Sequence, residues 1–273
     1  MNKGKPLVSV LMGVYYKRED IGFLRRSVES IQAQSLSDFE FLICDDGSSV
    51  QAMSYLQSIA ASDDRIKLVR QGNLFALPQK LNVCLCKAQG TYIARMDDDD
   101  YSHPDRLARQ MAFLTYHPEI TFVGCNVNLW RDGIVGQRLL PEYPTVRDFY
   151  FVQPYIHPAM LFRREALDYV GGYSEEKHAV LCEDYDLLLR LYAAGYQGGN
   201  LQECLLDYTI PATAKGNRRM KHRWNETVTR FNRFRELKQF PAALPYVVKP
   251  LLVGLIPSRY LGQLKQKQVT AIK

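Results

Sequence analysis

The chain has 273 residues, 47% hydrophobic and 23% charged, an ordinary globular balance that excludes a disordered chain and suffices for one large domain or a domain with an appendage. Its net charge of +6 conceals an asymmetry: from Ala212 onward fourteen Lys or Arg face only Glu226 and Glu236, a tail of +12, which leaves residues 1–211 at −6. Such a tail implies an anionic partner: nucleic acid, phosphate groups or an anionic membrane surface. The six cysteines, Cys44, Cys84, Cys86, Cys125, Cys182 and Cys204, include no Cys-x-x-Cys pair and lie mostly in apolar runs. Buried, reduced thiols in a cytosolic protein are therefore expected rather than disulfides or zinc. The basic start, Met1 to Pro6, is followed by too short an apolar run for a secretion signal.

In chain order, Leu7 to Val14 is an apolar run that reads as a buried strand. Glu19 to Gln34 carries apolar residues at Ile21, Leu24, Val28 and Ile31, a helical spacing. Phe39 to Cys44 predicts a second strand, 51–61 a helix, Ile66 to Val69 a third strand, and 76–88 a helix with Pro78 in its first turn. Thr91 to Met96 predicts the fourth strand. This alternation argues a parallel α/β sheet with right-handed crossovers, whose ligands sit beyond the carboxyl ends of the strands. Those ends carry Tyr15, Asp45-Asp46 and Asp97 to Asp100.

A helix over 104–117 follows, then strands Ile120–Trp130 and Ile134–Leu140 in a hairpin about Arg131-Asp132-Gly133, and a strand over Ala159–Phe162. Gly171-Gly172-Tyr173 reads as a turn and Glu183–Ala194 as a helix. Residues 213–238 read as a basic helix. Phe240 to Pro257 is apolar but holds Lys249 and four prolines, too short and broken to span a membrane. Leu251, Leu252, Leu255 and Ile256 share one face near Arg259, Lys265 and Lys267, the pattern of an interfacial segment; packing on the body or on a twin subunit, and hence a homo-oligomer, is the alternative.

Four adjacent carboxylates, Asp97 to Asp100, raise one another's pKa and are most easily tolerated beside a cation. Strand geometry, if it continues, points Asp97 and Asp99 the same way, a pair of hard oxygen ligands suited to Mg²⁺ or Mn²⁺ completed by substrate phosphates. A solvated acidic turn is the alternative.

Several ordered segments together resemble family 2 glycosyltransferases of GT-A fold, the kind that build bacterial capsules and O-antigens. They are Val8 to Tyr15, Asp45 to Ser49, Ala94 to Asp100 with Pro104, Arg106, Leu107 and Gln110, then His157 to Arg164, Gly171 to Tyr173, and Glu183 to Leu187. The resemblance spans residues 7–210 and implies a Rossmann-like, mostly parallel sheet flanked by helices, with a C-terminal helical extension. Residues 1–211 are then the catalytic domain, 1–103 its nucleotide-binding half and 104–211 its acceptor half, and 212–273 a basic, amphipathic segment.

The resemblance implies that Tyr15 stacks on the uracil of a UDP-sugar and that Asp46 accepts a hydrogen bond from that base. Asp97 and Asp99 match the DXD motif, Asp97 facing the ribose or the metal and Asp99 the Mn²⁺ or Mg²⁺ on the diphosphate, with Asp100 in support. Arg95 is placed to pair with one of these acids. Asp184, with Glu183, matches the catalytic base of an inverting transfer, although acids at a helix start also stabilise the helix dipole. His157, Gly171, Gly172 and Tyr173 match segments near the acceptor pocket; His157 equally suits a structural role.

Three departures stand out: Tyr16 where Asn is frequent, Asp98 inside the DXD motif, and Met220-Lys221-His222-Arg223-Trp224, a partial echo of the Gln-x-x-Arg-Trp motif of processive synthases with Met220 in place of Gln. A single-addition enzyme is expected. It is a metal-dependent transferase acting on a lipid-linked or lipopolysaccharide acceptor, peripheral on the cytoplasmic face of the bacterial inner membrane. The alternatives are a sugar nucleotidyltransferase, whose Gly-rich, Arg-containing loop Gly13 to Arg18 matches poorly, and a non-catalytic nucleic-acid- or anion-binding protein. No nucleic-acid module is recognisable, so nucleic acid is not an expected partner.

Overall fold

The computed structural model describes residues 4–70, 72, 76–210 and 220–255. In chain order the elements are β1 (Val8–Val14), α1 (Gly22–Gln32), β2 (Phe39–Asp45), α2 (Val50–Ser62), β3 (Ile66–Arg70), α3 (Leu77–Lys87), β4 (Tyr92–Arg95), β5 (Tyr101–Ser102) and α4 (Arg106–Tyr116). Then come β6 (Phe122–Trp130), β7 (Ile134–Arg138), β8 (Leu161–Arg163), α5 (Arg164–Tyr169), α6 (Glu183–Ala193), β9 (Gly198–Thr209), α7 (Met220–Glu236) and α8 (Leu244–Leu255).

The strands of the described residues form one sheet in the order β3-β2-β1-β4-β8-β6-β9-β5, with β7 also paired to β6. The β3-β2-β1-β4 half is parallel, and β8 is antiparallel to both β4 and β6. β1 and β2 are apolar almost throughout because both faces of a parallel sheet are covered. Alternate residues feed two cores. Val8, Val10 and Met12 meet Leu24 and Val28 of α1, Leu56 of α2 and Leu107 of α4 on one face. Leu11 and Leu42 meet Leu81 of α3 and Leu187 of α6 on the other.

Local chemistry sets the element ends. The Ser49 hydroxyl accepts from the Ala52 amide to cap α2. Pro78 occupies the first turn of α3, where a missing N–H costs nothing. The Phe122 ring lies over Gly198, where even a Cβ would come within 2.0 Å of it, so β9 starts on a residue that must lack a side chain.

The structure differs from the sequence reading in the middle of the chain. The strand expected at Ala159 begins at Leu161, because His157–Ala159 forms a single 3₁₀ turn. The short strand β5, the helix α5 and the long strand β9 are additions to the reading.

The basic tail joins the second core as far as it is described. Phe234 of α7 is fully buried, edge-on to Tyr150 at 5.1 Å, and Val247 of α8 is buried with it. Asp186 of α6, itself buried, accepts from Arg190 at 2.8 Å and from Arg233 of α7 at 2.7 Å. Arg218, Arg219, Ile256, Arg259, Lys265 and Lys267, to which the sequence assigned charge and an apolar face, lie outside the described residues. Among the described residues no helix is long and apolar enough to cross a membrane. All six cysteines are free thiols, four of them buried, with Cys204 half-buried and Cys86 exposed.

Candidate active site

The carboxyl ends of β1, β2 and β4 converge as parallel pairing dictates. At the end of β1, Tyr15 stands 57% exposed, with Lys17 Nζ 5.0 Å from the centre of its ring. After β2 the chain turns at Gly47 (φ +89°), and the Asp45 carboxylate fastens the turn by accepting from the amides of Gly47 at 2.9 Å and Ser48 at 3.1 Å. The Asp46 amide donates to Val14 O at 3.2 Å, which sets Asp46 beside Tyr15. Lys80 of α3, buried, joins them. Its Nζ donates to Val14 O at 3.1 Å, lies 3.6 Å from the Asp46 carboxylate, and sits 5.3 Å from the centre of the Tyr15 ring. The sequence reading missed Lys80, since a lysine on an amphipathic helix resembles a solvated surface residue; its position one helical turn beyond Ala76 and Leu77, facing β1, was the available signal.

At the end of β4 the acidic run is held from three sides. Arg95, 1% exposed, pairs with Asp97 at 2.5 Å and also donates to Met96 O. Ser27 of α1 donates to Asp97 O at 2.5 Å. Thr209, the last residue of β9, donates its amide to Asp100 at 2.7 Å and its hydroxyl to Asp99 O at 2.5 Å. Burial, reinforced by the neighbouring carboxylates, raises the Asp98 pKa to about 7 and that of Asp99 to about 6, and lifts Asp100 well above the usual range. Arg18 works against the rise at Asp99. Among the described residues the buried Asp100 Oδ2 has no hydrogen-bond partner.

That chemistry fits a divalent cation. Among the described residues no three His, Cys, Asp or Glu side chains converge to cage an ion by themselves. Mg²⁺ and Mn²⁺ need no such cage, since one or two carboxylates plus substrate phosphates and water complete their shell. Asp97 and Asp99 line a cavity of about 530 Å³ together with Arg18, Trp130 and Tyr208.

Motif residues of α4 tie this run to the next segment. Arg106, fully buried, donates to Ser102 Oγ at 2.7 Å, to Arg95 O at 3.2 Å and to Pro158 O at 3.1 Å. Gln110 donates to Ala159 O at 2.7 Å and Val123 O at 3.1 Å. His157 is thereby held against the strand that carries the acids.

A second cavity, of about 570 Å³, contains Asp97 at one end and His157, Glu183 and Asp184 among its walls. Asp97 and Tyr208 line both cavities. Asp184, half-buried at the start of α6, accepts from Gln153 Nε2 at 2.9 Å and from the Tyr185 amide at 2.8 Å. Gln153 is a further residue the sequence reading missed; nothing local marks it, because its role depends on a contact thirty-one residues away. Glu183 is 9% exposed, one of its oxygens is buried without a partner among the described residues, and burial followed by the Asp184 charge raises its pKa to about 7.

The glycine turn is near the site but outside its walls. Gly171 and Gly172 have φ of +75° and +70°. Asn82 of α3 brackets Tyr173, donating to its carbonyl and accepting from its amide, both at 2.9 Å, and Arg190 donates to Gly172 O at 2.7 Å. Tyr173, buried, meets His157 Nε2 through its hydroxyl at 2.9 Å. Burial, then the Arg95 charge, pushes the His157 pKa well below its ordinary value, so the ring is neutral. The glycines form the turn that sets Tyr173 under His157, and of the four only His157 lines the cavity.

The fold is that of the GT-A glycosyltransferases, and the acidic run and the acid pair both reach one cavity beyond its parallel strands. Solved structures share the fold. TarS residues 1–349 of S. aureus in complex with UDP-GlcNAc align with a TM-score of 0.68 at 16% identity, covering 89% of this chain and 73% of that one. The mannosyltransferase PcManGT of Pyrobaculum calidifontis, in complex with GDP-Man and Mn²⁺, aligns at 0.65 and 19% identity, covering 99% and 82%.

The chain belongs to glycosyl transferase family 2, whose profile matches residues 9–171. The protein EpsE of Bacillus subtilis (strain 168) is 34% identical over 271 residues, 98% of this chain and 96% of that protein. The UDP-Gal:alpha-D-GlcNAc-diphosphoundecaprenol beta-1,3-galactosyltransferase of Escherichia coli is 25% identical over 278 residues, 98% of each chain. The family and fold expectations are borne out, and the sugar-nucleotidyltransferase alternative falls away.

Proposed function

We propose that this glycosyltransferase is metal-dependent and inverting, and that it moves a sugar from a UDP-sugar to a hydroxyl of a lipid-linked, lipopolysaccharide or capsule glycan. One observation carries the reading: Asp97 of the acidic run and Glu183-Asp184 line a single cavity, as a transfer with separate donor and acceptor ends requires. A neighbour holding UDP-GlcNAc and another holding GDP-Man with Mn²⁺ support the donor and metal, and a relative named for a diphosphoundecaprenol substrate supports the acceptor.

In this reading Tyr15 stacks on the uracil and Asp46 accepts from its ring N–H, with the Lys80 ammonium holding Asp46 in place. Asp97 and Asp99 hold Mn²⁺ or Mg²⁺, whose Lewis acidity offsets the charge of the departing diphosphate. Asp184, oriented by Gln153, takes the proton of the acceptor hydroxyl as that oxygen bonds to C1 and the C1–phosphate bond breaks on the opposite face. Neutral His157, backed by Tyr173, forms acceptor-side wall. Residues 1–103 serve the nucleotide and 104–211 the acceptor.

We further assign the tail to an anionic membrane surface. Leu244, Val248, Leu252 and Leu255 are exposed at helical spacing along α8, and Trp224 is exposed on α7, which packs against it. The fourteen tail cations supply attraction to anionic lipid. Leu252→Glu with Leu255→Glu abolishes sedimentation with anionic vesicles in this reading; undiminished binding refutes it. The donor assignment is tested by hydrolysis of a nucleotide-sugar panel. UDP release from a UDP-sugar with Mn²⁺ or Mg²⁺, lost with chelator, is expected, and turnover unaffected by chelator rejects the metal.

A further inference from the structure

We infer that Arg138, Arg223 and Lys249 form a phosphate subsite on the acceptor side of the catalytic cavity, which receives the lipid-proximal phosphate or diphosphate of the acceptor. All three line the cavity that holds Asp184. They come from three separate elements, β7, α7 and α8. Each is anchored to a main-chain carbonyl: Arg138 donates to Gln153 O at 2.9 Å, Arg223 to Pro250 O at 3.2 Å and Lys249 to Phe151 O at 2.6 Å. None of the three forms an ion pair among the described residues. The neighbouring Glu226 is met instead by Arg230, at 3.1 Å. A guanidinium has five N–H donors and one carbonyl occupies at most two, so most of the donor capacity remains for an anion.

The segment 149–153 draws these groups together. Arg230 donates to Phe149 O and Tyr150 O, Lys249 to Phe151 O and Arg138 to Gln153 O, while the Gln153 side chain holds Asp184. Phe151 and Gln153 are two residues apart, so their Cα atoms are separated by no more than about 7 Å. One short loop thus sets two cations and the base within the span of a phosphorylated sugar. Burial lowers the pKa of both Arg138 and Lys249; at Lys249 the Arg230 charge adds to the effect and Glu226 opposes it, and at Arg138 Tyr208 opposes it, yet both stay lowered, so each cation gains from an added anion.

Diphosphate reaches this enzyme from two sources, donor and acceptor. In the proposed reading the donor diphosphate meets the metal held by Asp97 and Asp99; Asp99 and Arg18 line the other cavity, which none of the three cations reaches. The three cations instead border the tail helices. Lys249 lies one position beyond Val248, on the side of α8 that meets Phe151 O, so the subsite flanks the exposed apolar row Leu244, Val248, Leu252. This inference rests on the lipid-linked acceptor reading.

Calorimetry on the full-length protein tests it with three probes: farnesyl diphosphate, farnesol, and UDP with Mn²⁺. Wild type is expected to bind farnesyl diphosphate at least tenfold more tightly than farnesol. Lys249→Gln and Arg138→Gln are each expected to weaken farnesyl diphosphate about tenfold, the loss of one charge-assisted contact, with UDP–Mn²⁺ affinity within twofold of wild type. Lys249→Arg restores binding, which separates lost charge from misfolding. Equal affinity for farnesol and farnesyl diphosphate overturns the subsite, as does unchanged binding in both Gln variants. A matching loss of UDP–Mn²⁺ affinity assigns the cations to the donor and also overturns it. Wild type that fails to bind UDP–Mn²⁺ refutes the UDP-sugar and metal reading of the donor site, a separate result.

Discussion

Glu183→Gln is expected to stabilise the protein at pH 8 while leaving its stability near pH 4.5 almost unchanged. Glu183 is 9% exposed, its Oε2 is buried without a partner among the described residues, and Asp184 follows it directly. Burial, then the Asp184 charge, moves its pKa from 4.5 to about 7. Below pH 4.5 the carboxyl is protonated in both folded and unfolded chains and costs nothing. Between 4.5 and 7 the folded chain retains a proton that the unfolded chain releases, so stability falls as pH rises, and above 7 the full penalty stands. The interval corresponds to about 3 kcal/mol as an upper bound. Gln removes the charge at constant shape. For a chain of this size the gain at pH 8 amounts to roughly 6 °C in Tm. Thermal melts of both proteins at pH 4.5 and pH 8 read it directly. Equal shifts at the two pH values, or a lower Tm for the variant at pH 8, refute the reasoning.

Two further outcomes follow from the site and the tail. Tyr15→Ala is expected to weaken UDP binding about tenfold by removing a stacking face, with unchanged Tm because the ring is exposed; calorimetric affinity at wild-type level contradicts a base-binding role. Asp186→Asn leaves Arg190 and Arg233 without their buried carboxylate and is expected to destabilise the fold by about 3 kcal/mol in urea unfolding, while a change below about 0.5 kcal/mol denies that this pair docks α7.

Strands β1 and β2 were legible because both their faces are covered, leaving uninterrupted apolar runs between polar turns. Their parallel pairing then carried Tyr15, Asp46 and Asp97 to one crevice. β9 was not legible: it opens with Gly198-Gly199-Asn200, which reads as a turn, and its glycines are explained only by Phe122 and Phe113 packing across the sheet. The residues that orient the site were hidden for the same reason. Thr209 on the acidic run, Lys80 on Val14 O and Gln153 on Asp184 act across 110, 66 and 31 residues of chain, and no local pattern encodes such contacts. The glycine turn was legible as a turn, but its purpose, seating Tyr173 under His157, required the Asn82 and Arg190 contacts.

The central claim is that two cavities sharing Asp97 make one two-ended site, with a metal–diphosphate end at Asp97 and Asp99 and a proton-accepting end at Asp184. Paired measurement of UDP release from the preferred UDP-sugar and of UDP–Mn²⁺ affinity, for Asp184→Asn and Asp99→Asn, tests it most directly. Asp184→Asn is predicted to lose on the order of 10²–10⁴-fold in turnover while binding UDP–Mn²⁺ as wild type does. Asp99→Asn is predicted to lose both. Turnover of Asp184→Asn within tenfold of wild type, or intact metal-dependent UDP binding by Asp99→Asn, contradicts the two-ended site.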